Sequence, residues 1–308
     1  MIEARGQRLM ALAGKAKVSK AFPLFIEMKM KSGAYSELCD AVKAYMLGCL
    51  RAAFPDQSFD SSQDILSAYE AQILELPNRT PNGVLMPKRD VMLEYNRIHS
   101  HVVKAFGGMQ SGDLIGGMQL PPNVRVVGGN PDPKADVRPY ASNKCHTDIW
   151  AGEPPEAILF VLPTIGDLNN TNVDYWEPDI TNIEDFVQTL DDYSEGLQYS
   201  GNPKKYDARL HADHMYLIDA FTLHQTVRHG GGIRISIDLR IRPSQLVDSD
   251  HQREASRDCN YVSIDDWSAV GTKQLLVPSE TMQECIARFS GDSASSAKPA
   301  GYEYIALP

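Results

Sequence analysis

The chain has 308 residues, 43% of them hydrophobic, with 30 Lys and Arg against 40 Asp and Glu and a formal net charge of -10. That length and composition support one large core or two modest ones and exclude a disordered or fibrous protein. The acidic surplus opposes the dense phosphate contacts of a nucleic-acid partner, and no stretch reaches the roughly 20 apolar residues of a bilayer span.

The start, MIEARGQRLMALAGKAKVSKAF, is mildly basic but lacks the apolar run and cleavage pattern of a secretory signal. Five dispersed cysteines (Cys39, Cys49, Cys145, Cys259 and Cys285) read as free thiols of a reducing compartment, so the expected location is the cytoplasm. The N-x-T matches at Asn78 and Asn169 are then chance.

Residues 1–110 read as helical support. Leu38, Val42, Tyr45, Cys49 and Leu50 recur at helical spacing before Pro55 stops the run. A second helix is expected between a cap near Ser61 and Pro77. A third starts near Pro87, carries Val91, Tyr95, Ile98 and Val102 on one stripe, and ends at Gly107 and Gly108. His99 and His101 on it read as structural or exposed.

Between residues 111 and 245 the texture changes to short apolar segments separated by Pro, Gly, Asn and Asp. NVRVVGG, AILFVLP, HMYLIDAF and GIRISIDLRIRP have strand lengths and strand residues, without the rhythm of strand-helix units. The expectation is a mainly β core, an antiparallel barrel or sandwich, with a polar insertion or lid at about 179–215. Residues 246–308 lose alternation and read as a C-terminal extension, including a capped helix in PSETMQECIARFSG. The whole is read as a single domain.

Within the β region, CHTDIW places His146 and Asp148 two residues apart. In an extended chain such residues point the same way, so an imidazole and a carboxylate can converge on one ion. After the run MYLIDAFTL comes His224, then a glycine-rich turn, then a strand of period two. Ile233, Ile235, Ile237, Leu239 and Ile241 form its apolar face; Arg234, Ser236, Asp238, Arg240 and Arg242 form a face that lines solvent or a wet cavity.

His146-x-Asp148, then His224, then Arg234-x-Ser236 ten residues later resembles the iron(II)- and 2-oxoglutarate-dependent dioxygenases over residues 115–245. The resemblance implies a double-stranded β-helix, a jelly roll of cupin type, buttressed by N-terminal helices. It implies iron(II) held by His146, Asp148 and His224, with 2-oxoglutarate and molecular oxygen as cosubstrates. Two imidazoles and one carboxylate leave three octahedral positions open, a number suited to a bidentate oxoacid and oxygen. Arg234 would grip the distal carboxylate of 2-oxoglutarate with two charge-assisted bonds, and Ser236 would add a third. With Asp148 as a ligand no vacancy is left for a halide, so the implied reaction is hydroxylation or desaturation of a small metabolite, free or attached to a carrier. A metal-dependent isomerase, epimerase or 2-oxoglutarate-independent dioxygenase on a cupin-like barrel stays open, as does a noncatalytic metabolite-binding barrel. The oligomeric state is not fixed by the sequence.

Several residues compete for roles. His211-Ala-Asp213 is a second His-x-Asp match, but it lies too close to His224 in the chain to return from the opposite side of a barrel; His211 and His214 are read as substrate contacts near the mouth. His229 rivals His224 but stands in the RHGGG turn. Trp150 would wall the site if the strand through His146 continues, and Arg240 and Arg242 would bind an acidic substrate group or pair with neighbouring carboxylates. Cys145 points away from His146 as a core thiol.

Overall fold

The computed structural model describes residues 1–107, 109, 112–134, 136–252, 261–279 and 302–307. Helix α1 (Ile2–Ala13) leads into β1 (Lys17–Phe22) and β2 (Phe25–Lys29), followed by the 22-residue α2 (Ser32–Ala53). Two short helices, α3 (Ile65–Ala68) and α4 (Glu70–Leu74), a short β3 (Val84–Leu85) and α5 (Met92–Phe106) complete the first third. β4 (Ile115–Gln119), β5 (Asn123–Gly128), β6 (Ile158–Gly166) and β7 (Thr171–Glu177) precede α6 (Ile183–Phe186) and β8 (Lys204–Lys205). Then come β9 (His214–Asp219), β10 (Leu223–Arg228) and the 11-residue β11 (Ile233–Pro243). β12 (Tyr261–Val262), α7 (Ile264–Ala269), β13 (Gln274–Pro278) and β14 (Tyr302–Ala306) close the chain.

The chain is mainly β, in antiparallel sheets. The large one runs β1-β2-β9-β6-β11-β4-β12, with β5 also on β11 and β3 on β5. β11 is its spine: it pairs with β6 from Arg234↔Gly166 to Ile241↔Ile158, and its other edge is shared by β5 and β4. A smaller sheet runs β10-β7-β8. The apolar face of β11 lies against α2 and α5: all five of its Ile and Leu residues are at most 2% exposed and join one core with Val42, Tyr45, Ile98 and Val102. Phe106 of α5 meets Phe160 of β6 edge-on at 5.4 Å between ring centroids. Each such apolar side chain contributes about 2 kcal/mol by leaving water.

The first third is not helical throughout. β1 and β2 form a hairpin around Pro23-Leu24, and β2 extends the large sheet by pairing Phe25 with Ile218 and Met28 with Met215. The partner strand lies far along the chain, so local periodicity does not announce it. The single helix expected at 61–77 is split into α3 and α4, and Asp64, not Ser61, caps the first by accepting the Leu66 N–H. On the C-terminal side, Trp267 of α7 and Leu276 of β13 are buried in the main core; His99 bonds to the Trp267 carbonyl at 2.8 Å through Nε2. Burial pushes that imidazole down to about 4. The helix expected in PSETMQECIARFSG falls almost entirely outside the described residues, as do Cys259, Cys285 and Gly108. Among the described residues no helix is long and apolar enough to cross a membrane.

Candidate metal centre

His146 and His224 face each other across an antiparallel bridge: the His146 N–H donates to the His224 carbonyl at 3.0 Å, and the reverse bond is 2.7 Å. This bridge adds the 146 segment to the small sheet beside β10. Thr147 is extended (φ -109, ψ 148), so His146 and Asp148 project to one side. The Nε2 atoms of His146 and His224 lie 3.9 and 3.8 Å from the same oxygen, Oδ1 of Asp148. Each imidazole turns Nδ1 to a backbone carbonyl, His146 to Lys144 at 2.6 Å and His224 to Thr222 at 3.4 Å. A carbonyl accepts only from N–H, so these bonds place the proton on Nδ1 and leave Nε2 free to ligate. Among the described residues this is the group of three His, Cys, Asp or Glu side chains with converging ligand atoms.

The electrostatics favour ligation. Burial, with His224 next, pushes His146 down to about 3 and keeps it neutral. Burial opposes ionisation of Asp148, but Arg240 first, then His224 and His146, overcomes this and holds the carboxyl well below the usual range. Arg240 bonds the far oxygen, Oδ2, at 2.8 Å while its Nε reaches Glu153 at 3.2 Å. The carboxylate is thereby turned so that one oxygen faces the two imidazoles. A donor set of two imidazoles and one fixed carboxylate fits a divalent first-row metal with open positions.

The polar face of β11 is buried too from Arg234 to Asp238. Asp238, 5% exposed, accepts from Arg125 of β5 in a forked pair at 2.7 and 3.1 Å and from Asn123 at 2.8 Å. Arg234 differs. It is 3% exposed, its Nε is buried without a partner, and no described carboxylate pairs with it. Burial pushes it down to about 10, with Arg125 and Arg228 acting in the same direction, so it stays charged near neutrality. A buried charge without a counter-ion is costly and calls for an anionic ligand. Ser236, also 3% exposed, shares its strand face.

Other expected site residues lie elsewhere. The chain turns into a 3₁₀ segment at Asp148, ended by Gly152 with φ 91, so Trp150 leaves the face shared by His146 and Asp148. It is fully buried against Phe186, donates Nε1–H to the Phe186 carbonyl at 2.9 Å and does not wall the site. His211 and His214 sit at the opposite end of β9, where His214 meets Asp213 at 3.0 Å and Glu27 at 3.7 Å; they are not brought to the triad. Arg242 pairs with Glu156 at 3.0 Å, and Arg240 is engaged by the site's own carboxylates rather than open to substrate. His229 follows β10 and precedes a turn in which Gly230, Gly231 and Gly232 all have positive φ, which explains the glycine run. Cys145 is half-buried, and burial pushes its thiol up to about 11.

Tyr193 was missed by sequence reasoning. It comes from the 179–215 segment and stacks on the His146 ring at 3.8 Å. The same segment is tied to residues 139–144 by Lys144–Asp192 at 2.7 Å and by Tyr140 Oη donating to the Leu190 carbonyl. Arg125 and Glu153 were missed as well; only a carboxylate-arginine count around the face of β11 points to them.

No protein-family model matches the chain, and no curated relative does. Among solved structures the chain is similar to the nickel complex of ThoJ, a non-heme monooxygenase, at 12% identity and a TM-score of 0.35, covering 94% of this chain and 100% of that one. It is also similar to SnoN, a non-heme alpha-ketoglutarate-dependent epimerase from nogalamycin biosynthesis, at 10% identity and TM-score 0.33, covering 86% and 96%. A third is EctD from S. alaskensis with 2-oxoglutarate and 5-hydroxyectoine, at 9% identity and TM-score 0.35, covering 82% and 85%. Likeness at this level assigns no reaction, and the functional reading rests on the chain's own residues.

Proposed function

We propose that this protein is an iron(II)- and 2-oxoglutarate-dependent oxygenase that hydroxylates or desaturates a small metabolite, free or attached to a carrier. The observation that carries the reading is the pairing of two features inside one β core. Two imidazole Nε2 atoms converge on one carboxylate oxygen, and a buried arginine with no counter-ion among the described residues stands on the strand that also supplies Arg240 to that carboxylate.

In this reading the large and small sheets are the two halves of a double-stranded β-helix, with the site between them. His146, Asp148 and His224 hold iron(II). Arg234 and Ser236 bind the distal carboxylate of 2-oxoglutarate, which supplies the counter-ion that no described residue provides. The bound pair supplies oxidative decarboxylation to succinate and carbon dioxide, coupled with molecular oxygen to oxidation of a substrate C–H bond. Arg240 and Glu153 keep the carboxylate oriented, and Tyr193 covers the His146 ring from the 179–215 segment, which serves as a lid that excludes water. The dispersed thiols fit a cytoplasmic enzyme.

The test is anaerobic addition of iron(II) and then 2-oxoglutarate to the metal-free protein. The expected result is a new visible absorption on oxoacid addition, and succinate formation once oxygen is admitted. Arg234→Ala should retain iron and lose the oxoacid response. Iron binding that 2-oxoglutarate does not perturb would favour a cupin-like enzyme independent of the oxoacid. Absence of metal uptake would leave a noncatalytic metabolite-binding barrel.

A further inference from the structure

The turn between β9 and β10, residues 219–222, touches both metal-binding segments. The Ala220 carbonyl accepts the hydroxyl of Thr147, the residue between His146 and Asp148. The Thr222 carbonyl accepts from Nδ1 of His224. The turn is braced from within, by the Asp219 carboxylate accepting the Phe221 N–H at 3.0 Å and the Asp219 carbonyl accepting the Thr222 N–H at 2.9 Å. It is also held to neighbouring chain, since Thr222 Oγ1 donates to the Leu24 carbonyl and the Ala220 N–H to the Ala157 carbonyl.

The Asp219 carboxylate is itself held by the N-terminal helix. Arg5 of α1 is fully buried and bonds Asp219 Oδ1 at 2.7 Å, while its guanidinium lies 3.5 Å over the Phe221 ring. Its remaining donors go to Ser249, to the Pro155 carbonyl and to Asp250. Arg8 joins the same two carboxylates, Asp219 at 3.3 Å and Asp250 at 2.5 Å, so two arginines and two aspartates form a balanced buried cluster. A helix anchored by apolar contacts alone would need no such cluster, since a well-packed hydrophobic replacement is often at least as stable. What the charges add is direction: one bond from Arg5 to Oδ1 and one from Arg8 to Oδ2 fix where the Asp219 carboxylate sits, and through it the two carbonyls of the turn.

We propose that Arg5, Asp219 and Thr147 are positioning residues for the metal centre: α1, through Arg5, fixes the 219–222 turn, and the turn sets the orientation of His224 and of the His146–Asp148 segment. The inference rests on the reading of His146, Asp148 and His224 as metal ligands. Outer partners of this kind typically change metal affinity by about 10- to 100-fold.

The experiment is titration of the metal-free full chain with cobalt(II), followed by its ligand-field absorption, beside a thermal melt of each variant. Arg5→Ala and Thr147→Val are each expected to weaken cobalt binding at least about tenfold and to alter the spectrum, with Arg5→Lys restoring part of the loss. The double variant is expected to be no worse than the weaker single, because both act through one turn. Ile237→Ala, which destabilises the opposite face of β11, is expected to keep the parent spectrum and so separates positioning from loss of stability. A folded Arg5→Ala or Thr147→Val that binds cobalt within twofold of the parent with an unchanged spectrum overturns the proposal, as do losses that simply add in the double variant. If Arg5→Ala does not fold, Thr147→Val decides by the same criterion. A parent chain that binds no cobalt overturns the metal-site reading instead.

Discussion

β11 has two faces of opposite chemistry, and from Ile233 to Leu239 both are buried. On one, five aliphatic side chains pack against α2 and α5. On the other, Arg234, Ser236 and Asp238 are between 3% and 5% exposed, and Arg240 sits against the carboxylate of Asp148. The aliphatic face is stable because each side chain gains by leaving water. The polar face has no such gain, and it persists because its charges are answered: Asp238 by Arg125 and Asn123, Arg240 by Asp148 and Glu153. Arg234 is the exception: among the described residues no carboxylate pairs with it, and a buried charge of this kind costs stability, so the proposed anionic ligand is placed there.

Substitutions along β11 should separate the two faces. Asp238→Ala removes the carboxylate that answers the half-buried Arg125 guanidinium and is expected to cost about 3 kcal/mol, measured by urea unfolding. Ile237→Ala opens a cavity on the helical side; its expected cost is about 3 kcal/mol in the same experiment, with the cobalt spectrum unchanged. Arg234→Met should break the symmetry between the faces: stability is expected to stay within about 1 kcal/mol of the parent or to rise, while 2-oxoglutarate binding, read by calorimetry, is lost. Arg242→Ala, at the half-exposed end of the strand beside Glu156, is expected to change stability by less than about 1 kcal/mol. An Arg234→Met variant as destabilised as Asp238→Ala would show that Arg234 is structural and remove the basis for the oxoacid reading.

Much of this was legible along the chain. The period-two pattern of residues 233–241 announced both the strand and the face it turns to the helices, because alternation is a local consequence of strand geometry. The spacing of His146 and Asp148 likewise announced a shared side, since one extended residue separates them. Trp150 shows the limit of the same rule. Alternation extends only as far as the strand, and the chain turns at Asp148. His224 shows another: the run MYLIDAFTL looks continuous, yet residues 219–222 break it into β9 and β10, because the Asp219 carbonyl accepts the Thr222 N–H across a turn and the Thr222 hydroxyl bonds to Leu24.

Sequence alone determined the residue types that can ligate a metal or bind an anion, the mainly β character after residue 110 and the inward face of β11, since these depend on chemistry and period within a few residues. Tertiary structure decided which groups meet. It brought His146 opposite His224, set Arg240 on Asp148, left Arg234 without a counter-ion among the described residues and ran a buried arginine from the first helix to the turn before His224. Those contacts join residues far apart in the chain, and pairing over such distances is fixed by the packing of whole sheets and helices, not by local propensity.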